Sequence, residues 1–276
     1  MNPNAELYSN ASDGNRNWAA NILSTIDFKP GGYSNVLDIG CGSGEVTNTI
    51  LSKLDNVEHL TAFDKYESMV DFARSKNPNP KIEYLVADLT DPDSYGADWR
   101  RKFDLVTSFM VLHWTPNQYK NLENIKRLLS VNGEVVLVLI TSSMMVHMCD
   151  VDKLEKWSPY FQGFTPDWSL EPSWEEYSEW RSPDIVSGYR RMAESLGFAV
   201  KRCEITTRDY TFSDRESAKQ WFGAILPHVK RIPESKLAEF MDDALGVYMG
   251  KVPVDENGTL HMAASAVVVH LQIISE

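Results

Sequence analysis

Between Asn35 and Ile140 the chain alternates short apolar runs with amphipathic segments, and that alternation leaves few folds open. VLDIG (36–40), LTAFD (60–64), IEYLVAD (82–88), FDLVTSFM (103–110) and EVVLVLI (134–140) read as buried strands. EVTNTILSKL (45–54), ESMVDFARSK (67–76) and NQYKNLENIKRLLS (117–130) carry apolar residues at helical spacing. Strands that alternate with helices return by right-handed crossovers, which predicts an α/β fold with a doubly wound, mostly parallel sheet.

After Ile140 the pattern loosens into TSSMMVHMCDVDKLEKWSPYFQGFTPDWSLEPSWEEYSEWR, rich in tryptophan and interrupted by prolines. Connections longer than about 15 residues are uncommon in compact domains and often serve as lids. Regular signals return with a helix at 184–198, a strand at 199–212, helices at 216–226 and 234–249, and a closing strand at 260–274. The simplest partition is a single domain, 1–276, with a ligand-binding core at 35–140 completed by 183–212 and 259–276. Largely helical cap insertions would fill 141–182 and 213–258.

The first strand runs into VLDIGCGSG, with Gly40, Gly42 and Gly44 at alternate positions. Glycine lacks a side chain and accepts positive φ, so such a turn lets backbone approach a ligand closely. The helix that follows presents its unpaired N–H groups there. The spacing differs from the G-x-G-x-x-G of dinucleotide folds. The next helix opens on Glu45, which would repel a pyrophosphate but tolerates a zwitterionic amino-acid group. Asp64, at the end of the second strand, is placed to accept both hydroxyls of a ribose. Asp88, at the end of the third, is placed to accept from an adenine amino group while the Leu89 N–H donates to the ring. Acids are thus expected at the ends of the first three strands.

A formal net charge of -12 opposes polyanions, so neither nucleic acid nor an anionic membrane surface is expected as a partner. No run approaches the ~18 apolar residues of a membrane-spanning helix, and MNPNAELYSNASDGN lacks the layout of a signal peptide. A cytoplasmic protein, monomeric or homodimeric, is expected. Cys41, Cys149 and Cys203 have no metal-ligand spacing, and their odd number fits reduced thiols. His147, Cys149 and Asp150 make no recognisable ligand set, so no metal is expected.

From Asn35 to Ile140 the chain resembles the class I S-adenosylmethionine-dependent methyltransferases, whose first motif is a strand, an acid and G-x-G-x-G. The resemblance implies a seven-stranded sheet of order 3-2-1-4-5-7-6 with the last strand antiparallel, a place that LHMAASAVVVHLQII suits. It implies S-adenosyl-L-methionine as cofactor and S-adenosyl-L-homocysteine as product. Gly40, Cys41, Gly42 and Gly44 would lie along the methionine part, and Asp38 would orient the loop or hold the amino group. Asp64 with Lys65, and Asp88 with Leu89, would take the nucleoside. Ser108 and Phe109, at the end of strand four, would line the sulfonium side.

In open α/β sheets, ligands sit outside the carboxyl ends of the strands, which predicts His113 and Trp114 of SFMVLHW at the rim of that crevice. A carboxylate acceptor is already ionised at neutral pH and needs donors rather than a base. The Trp114 indole N–H and the His113 imidazole N–H qualify, although both rings could equally pack beneath the cap. For a small aromatic amine or phenol, His113 would serve as a general base.

The segment ELYSNASDGNRNWAANIL, the LHW after strand four and the EKW of the insertion resemble the arthropod juvenile hormone acid and farnesoic acid O-methyltransferases. That resemblance implies a farnesyl-type acid that enters a lipophilic tunnel and leaves as its methyl ester. It implies two carboxylate-holding side chains, a Trp matched by Trp114 and a Gln whose place is taken by Asn15. Asn keeps the amide but shortens the reach by about 1.3 to 1.5 Å. Met144, Met145, Met148, Trp157, Phe161, Phe164 and Trp221 are the expected pocket wall, with methionine suited to adaptable apolar surfaces. The cap shows few Arg or Lys, which speaks against a polycarboxylate. A catalytically silent cofactor- or lipid-binding homologue is the remaining reading, kept open by Asn15.

Overall fold

The computed structural model of the chain describes residues 5–115, 117–143, 150–163, 184–212, 214–251 and 259–274. Among them, β1 (Asn35–Ile39), β2 (His59–Asp64), β3 (Ile82–Val86), β4 (Phe103–Phe109), β5 (Leu129–Ser143), β6 (Phe198–Phe212) and β7 (Leu260–Ile273) form one sheet. Its order is β3-β2-β1-β4-β5-β7-β6. The first five strands pair in parallel, and β7 runs antiparallel to both β5 and β6. This is the expected doubly wound topology. The helices are α1 (Ala5–Ala11), α2 (Asp13–Leu23), α3 (Glu45–Lys53), α4 (Glu67–Lys76), α5 (Gln118–Leu128), α6 (Ile185–Ser195), α7 (Arg215–Ile225) and α8 (Glu234–Met249).

Side chains alternate across β1. Val36 joins an apolar cluster on one face with Trp18 and Ile22 of α2, Ile50 of α3, and Phe222, Phe240 and Tyr248 of α7 and α8. Leu37 joins the other face, with Leu122 and Ile125 of α5 and Tyr189 and Met192 of α6. Segment 214–251 therefore packs on the sheet's own core. Val267 to Leu271 of β7 are buried because both faces are covered there, Val268 in one apolar cluster and Val267, Val269 and Leu271 in the other, whereas most of β6, at the edge, is exposed or half-buried.

Three strand ends depart from expectation. β1 ends at Ile39, so Asp38 is its penultimate residue. β3 ends at Val86, which leaves Asp88 in the following loop; Asp64 alone of the three acids closes its strand. β5 begins at Leu129 and runs to Ser143, beyond the expected 134–140, because Leu129 pairs with Phe103 and Ser143 with Ala264. Pairing supplied by neighbours extended a strand whose polar ends carry no strand signal. Among the described residues no helix is long and apolar enough to cross a membrane, and no group of three or more His, Cys, Asp or Glu is arranged to hold a metal ion.

Candidate functional site

At the carboxyl end of β1 the chain turns back on β2. The Gly40 and Cys41 N–H groups both donate to the Phe63 carbonyl, at 2.8 and 2.9 Å. Gly42 N–H donates to Asp64 Oδ2 and Tyr66 N–H to Asp64 Oδ1, each at 3.0 Å. All three glycines take positive φ, +74, +54 and +94°. Their reasons differ. A Cβ on Gly40 would collide with the Val111 side chain, and one on Gly44 would come within 2.8 Å of the Tyr84 hydroxyl. At Gly42 a Cβ would meet only the Tyr8 ring, at 3.5 Å. Two of the glycines thus serve close packing, and the middle one faces a cleft.

That cleft is bounded by Gly40 to Ser43, by Phe109 and Met110 after β4, and by Tyr8, Ser12 and Asn15 of the N-terminal helices. Asp38 and Glu45 also line it. Asp38 accepts from the Thr47 hydroxyl at 2.7 Å and from the Thr107 hydroxyl at 2.9 Å. Burial nevertheless pushes its carboxyl up to about 6. Burial also raises Asp64, against the pull of its backbone N–H partners. Glu45 accepts from the Ser9 and Ser43 hydroxyls. Three carboxyl groups around one open glycine suit a ligand that carries positive charge and reject a pyrophosphate.

The remaining expected residues are distributed less evenly. Cys41 lines the cleft, and burial holds its thiol well above its usual range. Lys65 places its ammonium 5.1 Å over the Tyr66 ring. Asp88 Oδ1 accepts from the Thr90 N–H and hydroxyl, both at 2.8 Å, which sets the turn after β3. Leu89 is buried, its carbonyl held by Asn124 Nδ2 at 2.9 Å. Ser108 is buried and its hydroxyl donates to the Ile39 carbonyl at 3.0 Å, so it ties β4 to β1, while its neighbour Phe109 faces the cleft.

Past Phe109 the backbone passes through Met110 at φ +59° into a single 3-10 turn, Leu112–Trp114. His113 and Trp114 lie there with ring centroids 5.0 Å apart. They stand beside the cleft rather than among the residues that bound it. Burial pushes the His113 imidazole down to about 3, and its Nδ1 has no hydrogen-bond partner among the described residues. Trp114 is 37% exposed. Asn15 does bound the cleft, and its Oδ1 accepts from the Tyr210 hydroxyl at 2.9 Å.

The pocket wall divides. Trp157 is fully buried, donates to Asp243 Oδ2 at 2.8 Å and meets Phe240 edge-on. Phe161 packs on His228 and Phe240. Both pack into the apolar cluster on one face of the sheet and do not bound the cleft. Trp221 packs at 5.5 Å on Tyr210, one ring away from Asn15. Met144, Met145, Met148 and Phe164 lie outside the described residues, as do Trp168, Trp174, Tyr177 and Trp180.

Sequence reasoning missed several residues that hold this site. Tyr8 and Ser12 bound the cleft. Gln118, Asn121 and Asn124 form a buried row of amides on α5: Gln118 Nε2 donates to the Leu112 carbonyl at 2.7 Å, Asn121 donates to the Thr115 hydroxyl, and Asn124 holds Leu89. Amides at every third position of a helix were the available signal, since that spacing keeps them on one face.

Residues 37–137 match the family described as a methyltransferase domain. The juvenile hormone acid O-methyltransferase of Drosophila melanogaster is 27% identical over 256 residues, which cover 88% of this chain and 82% of the relative. A trans-aconitate 2-methyltransferase of an Enterobacter species is 24% identical, over 89% of this chain and 88% of its own. The fold of the YcgJ protein from a Bacillus superposes with a TM-score of 0.57 at 14% identity, covering 94% of this chain and 100% of the other. With the matched residues spanning β1 to β5, residues 37–137 form a methyltransferase domain, and the sheet around it closes in the order β3-β2-β1-β4-β5-β7-β6.

Proposed function

We propose that this chain is an S-adenosylmethionine-dependent O-methyltransferase that esterifies the carboxylate of a lipophilic small molecule of the farnesoic or juvenile hormone acid type. The family implies the cofactor, which when bound supplies a methyl group made electrophilic by its sulfonium sulfur. The residues that fit it are Asp38, Asp64 and the open face at Gly42, whose carboxyl groups balance its positive charge, with Asp88 and Leu89 on the nucleoside side.

The observation that carries the choice of acceptor is the pairing of Tyr8 and Asn15 on the wall of the cleft, and the lowered basicity of His113 beside it agrees. An imidazole held near 3 is a poor base for a phenol or an amine, which weighs against that alternative. A carboxylate needs no base. It needs to be oriented and stripped of water, and amide, phenol and indole donors from Asn15, Tyr8 and Trp114 suit it. The relative that acts on juvenile hormone acid by name supports a lipophilic acid, as do Phe109 in the cleft wall and the ring stack of Trp221 on Tyr210 behind it. In this reading the core at 35–140, 183–212 and 259–276 holds the cofactor, and the segments at 141–182 and 213–258 cap the acceptor.

The test is incubation with methyl-labelled cofactor and a panel of terpenoid and fatty acids, with extraction of labelled esters. Ester formation that falls in Trp114→Ala and in Asn15→Ala more than in His113→Ala is the expected pattern. No ester from any lipophilic acid ends the reading.

A further inference from the structure

The Asn15 side chain has two ends of opposite character, and the end that meets the cleft decides whether an anion is attracted or repelled. Tyr210, far away on β6, donates its hydroxyl to Asn15 Oδ1 at 2.9 Å. Tyr8 bounds the same cleft as Asn15, and the Asn15 amide pulls the titration of its phenol down. Tyr210, Asn15 and Tyr8 thus stand in a row: Tyr210 gives to Asn15 Oδ1, which turns the amide N–H toward the cleft, and Tyr8 has its own O–H to give. Tyr8 keeps its proton, because burial and the nearby Asp64 and Glu45 carboxylates push the phenol up against the opposing pull of Asn15.

The anchor of the row is rigid. The Tyr210 ring is buried, met edge-on by Trp18 at 6.1 Å and at 5.5 Å by Trp221, with the Arg208 guanidinium 4.8 Å above it. Arg208 also donates to the Gly14 carbonyl. Gly14 lies inside α2, where glycine is unfavourable, and a Cβ there would come within 2.8 Å of Tyr210 Cε1. The helix accepts a glycine so that the ring can sit against the backbone next to Asn15.

We propose that Tyr210 is a positioning residue that, by donating to Asn15 Oδ1, fixes the direction of the Asn15 amide so that its N–H meets the cleft beside the Tyr8 hydroxyl, matched to an oxyanion acceptor. Its consequence for turnover rests on the carboxylate reading above; the orientation of the amide does not.

Tyr210→Phe keeps the ring and removes the hydroxyl. In protein labelled with 15N-asparagine, the Asn15 side-chain amide signals, identified by their loss in Asn15→Ala, are expected to shift and to exchange with water about tenfold faster in Tyr210→Phe. With an acid that the wild type esterifies, KM is expected to rise about tenfold with kcat within about twofold, the size expected for a hydrogen bond to a charged group. The Kd for S-adenosylhomocysteine stays as in the wild type. In an Asn15→Ala background the same substitution is expected to leave KM within about twofold, since the group it orients is gone. Unchanged Asn15 signals, or a KM rise of equal size with Asn15 already removed, overturns the proposal. If no acid is turned over by the wild type, the carboxylate reading fails while the amide signals still decide the orientation. Should Tyr210→Phe fail to fold, Asn15→Asp keeps the acceptor for Tyr210 and removes the N–H; an unaltered KM there overturns the proposal as well.

Discussion

The hydroxyl of Tyr33 donates to Glu134 across 2.6 Å, joining the loop before β1 to β5 at the end of the sheet away from the cleft. Glu134 is 1% exposed, accepts from Lys201 at 2.9 Å and faces His270 Nε2 at 2.9 Å. Burial pushes its carboxyl up, but the bonds from His270, Tyr33 and Lys201 outweigh it and leave the group at about 2. The folded value lies below the ordinary one, so the ionised form stabilises the fold. That contribution is complete above the ordinary value of 4.5 and is lost as pH falls toward 2. Glu134→Gln should cost about 3 kcal/mol at neutral pH by leaving buried donors without their carboxylate. Thermal melts of both proteins should converge as pH drops through that window.

Gly40 and Gly42 predict different phenotypes. Gly40→Ala drives a methyl into Val111 and should destabilise by about 2 kcal/mol, with partial recovery when Val111→Ala is added. Gly42→Ala meets only the Tyr8 ring at 3.5 Å but must hold a left-handed φ of +54°, which costs about 1 to 2 kcal/mol. It should melt within a few degrees of the wild type yet bind S-adenosylhomocysteine more weakly by calorimetry, because the methyl stands in the cleft.

Asp38 ties cofactor affinity to pH. Its folded value, about 6, lies above the ordinary 3.8, so the proton stabilises the unliganded fold and that stability is lost as pH rises through 6. A ligand that sets its ammonium group beside this carboxylate reverses the preference. Affinity for S-adenosylhomocysteine should therefore weaken about tenfold between pH 7.5 and pH 5, and Asp38→Asn should remove the dependence.

His113 should leave no mark on the pH profile. Held at about 3 by burial, it is neutral throughout the working range. At saturating cofactor, kcat/KM for an acid should show no inflection near the ordinary imidazole value. An inflection there that disappears in His113→Asn would reveal a titrating base.

Trp157→Phe should separate stability from recognition. Loss of the indole bond to Asp243 should cost about 1 kcal/mol while acceptor KM stays within about twofold of the wild type, since Trp157 is fully buried against Tyr160 and Phe240 and does not bound the cleft.

Helices α4 and α8 begin and end where apolar spacing predicts, at Glu67–Lys76 and Glu234–Met249, because each buries one continuous face and the period records it. The order of strands and helices, and the glycine turn behind β1, were legible for the same reason: they are local patterns. The polar ends of β5 were not, since pairing with β4 and β7 gave them their partners. Nor was the departure of Asp88 from the end of β3, where the Thr90 turn takes over.

What the amino-acid order determined on its own is which residues are apolar at which period, and hence the sheet, its helices and the site's place at the strand tips. Tertiary structure decided which glycine faces open space, since that depends on Val111 and Tyr84 arriving from other elements. It also decided which end of Asn15 is engaged, through a tyrosine 195 residues away. Burial patterns are written along the chain, whereas hydrogen-bond partners are chosen across it.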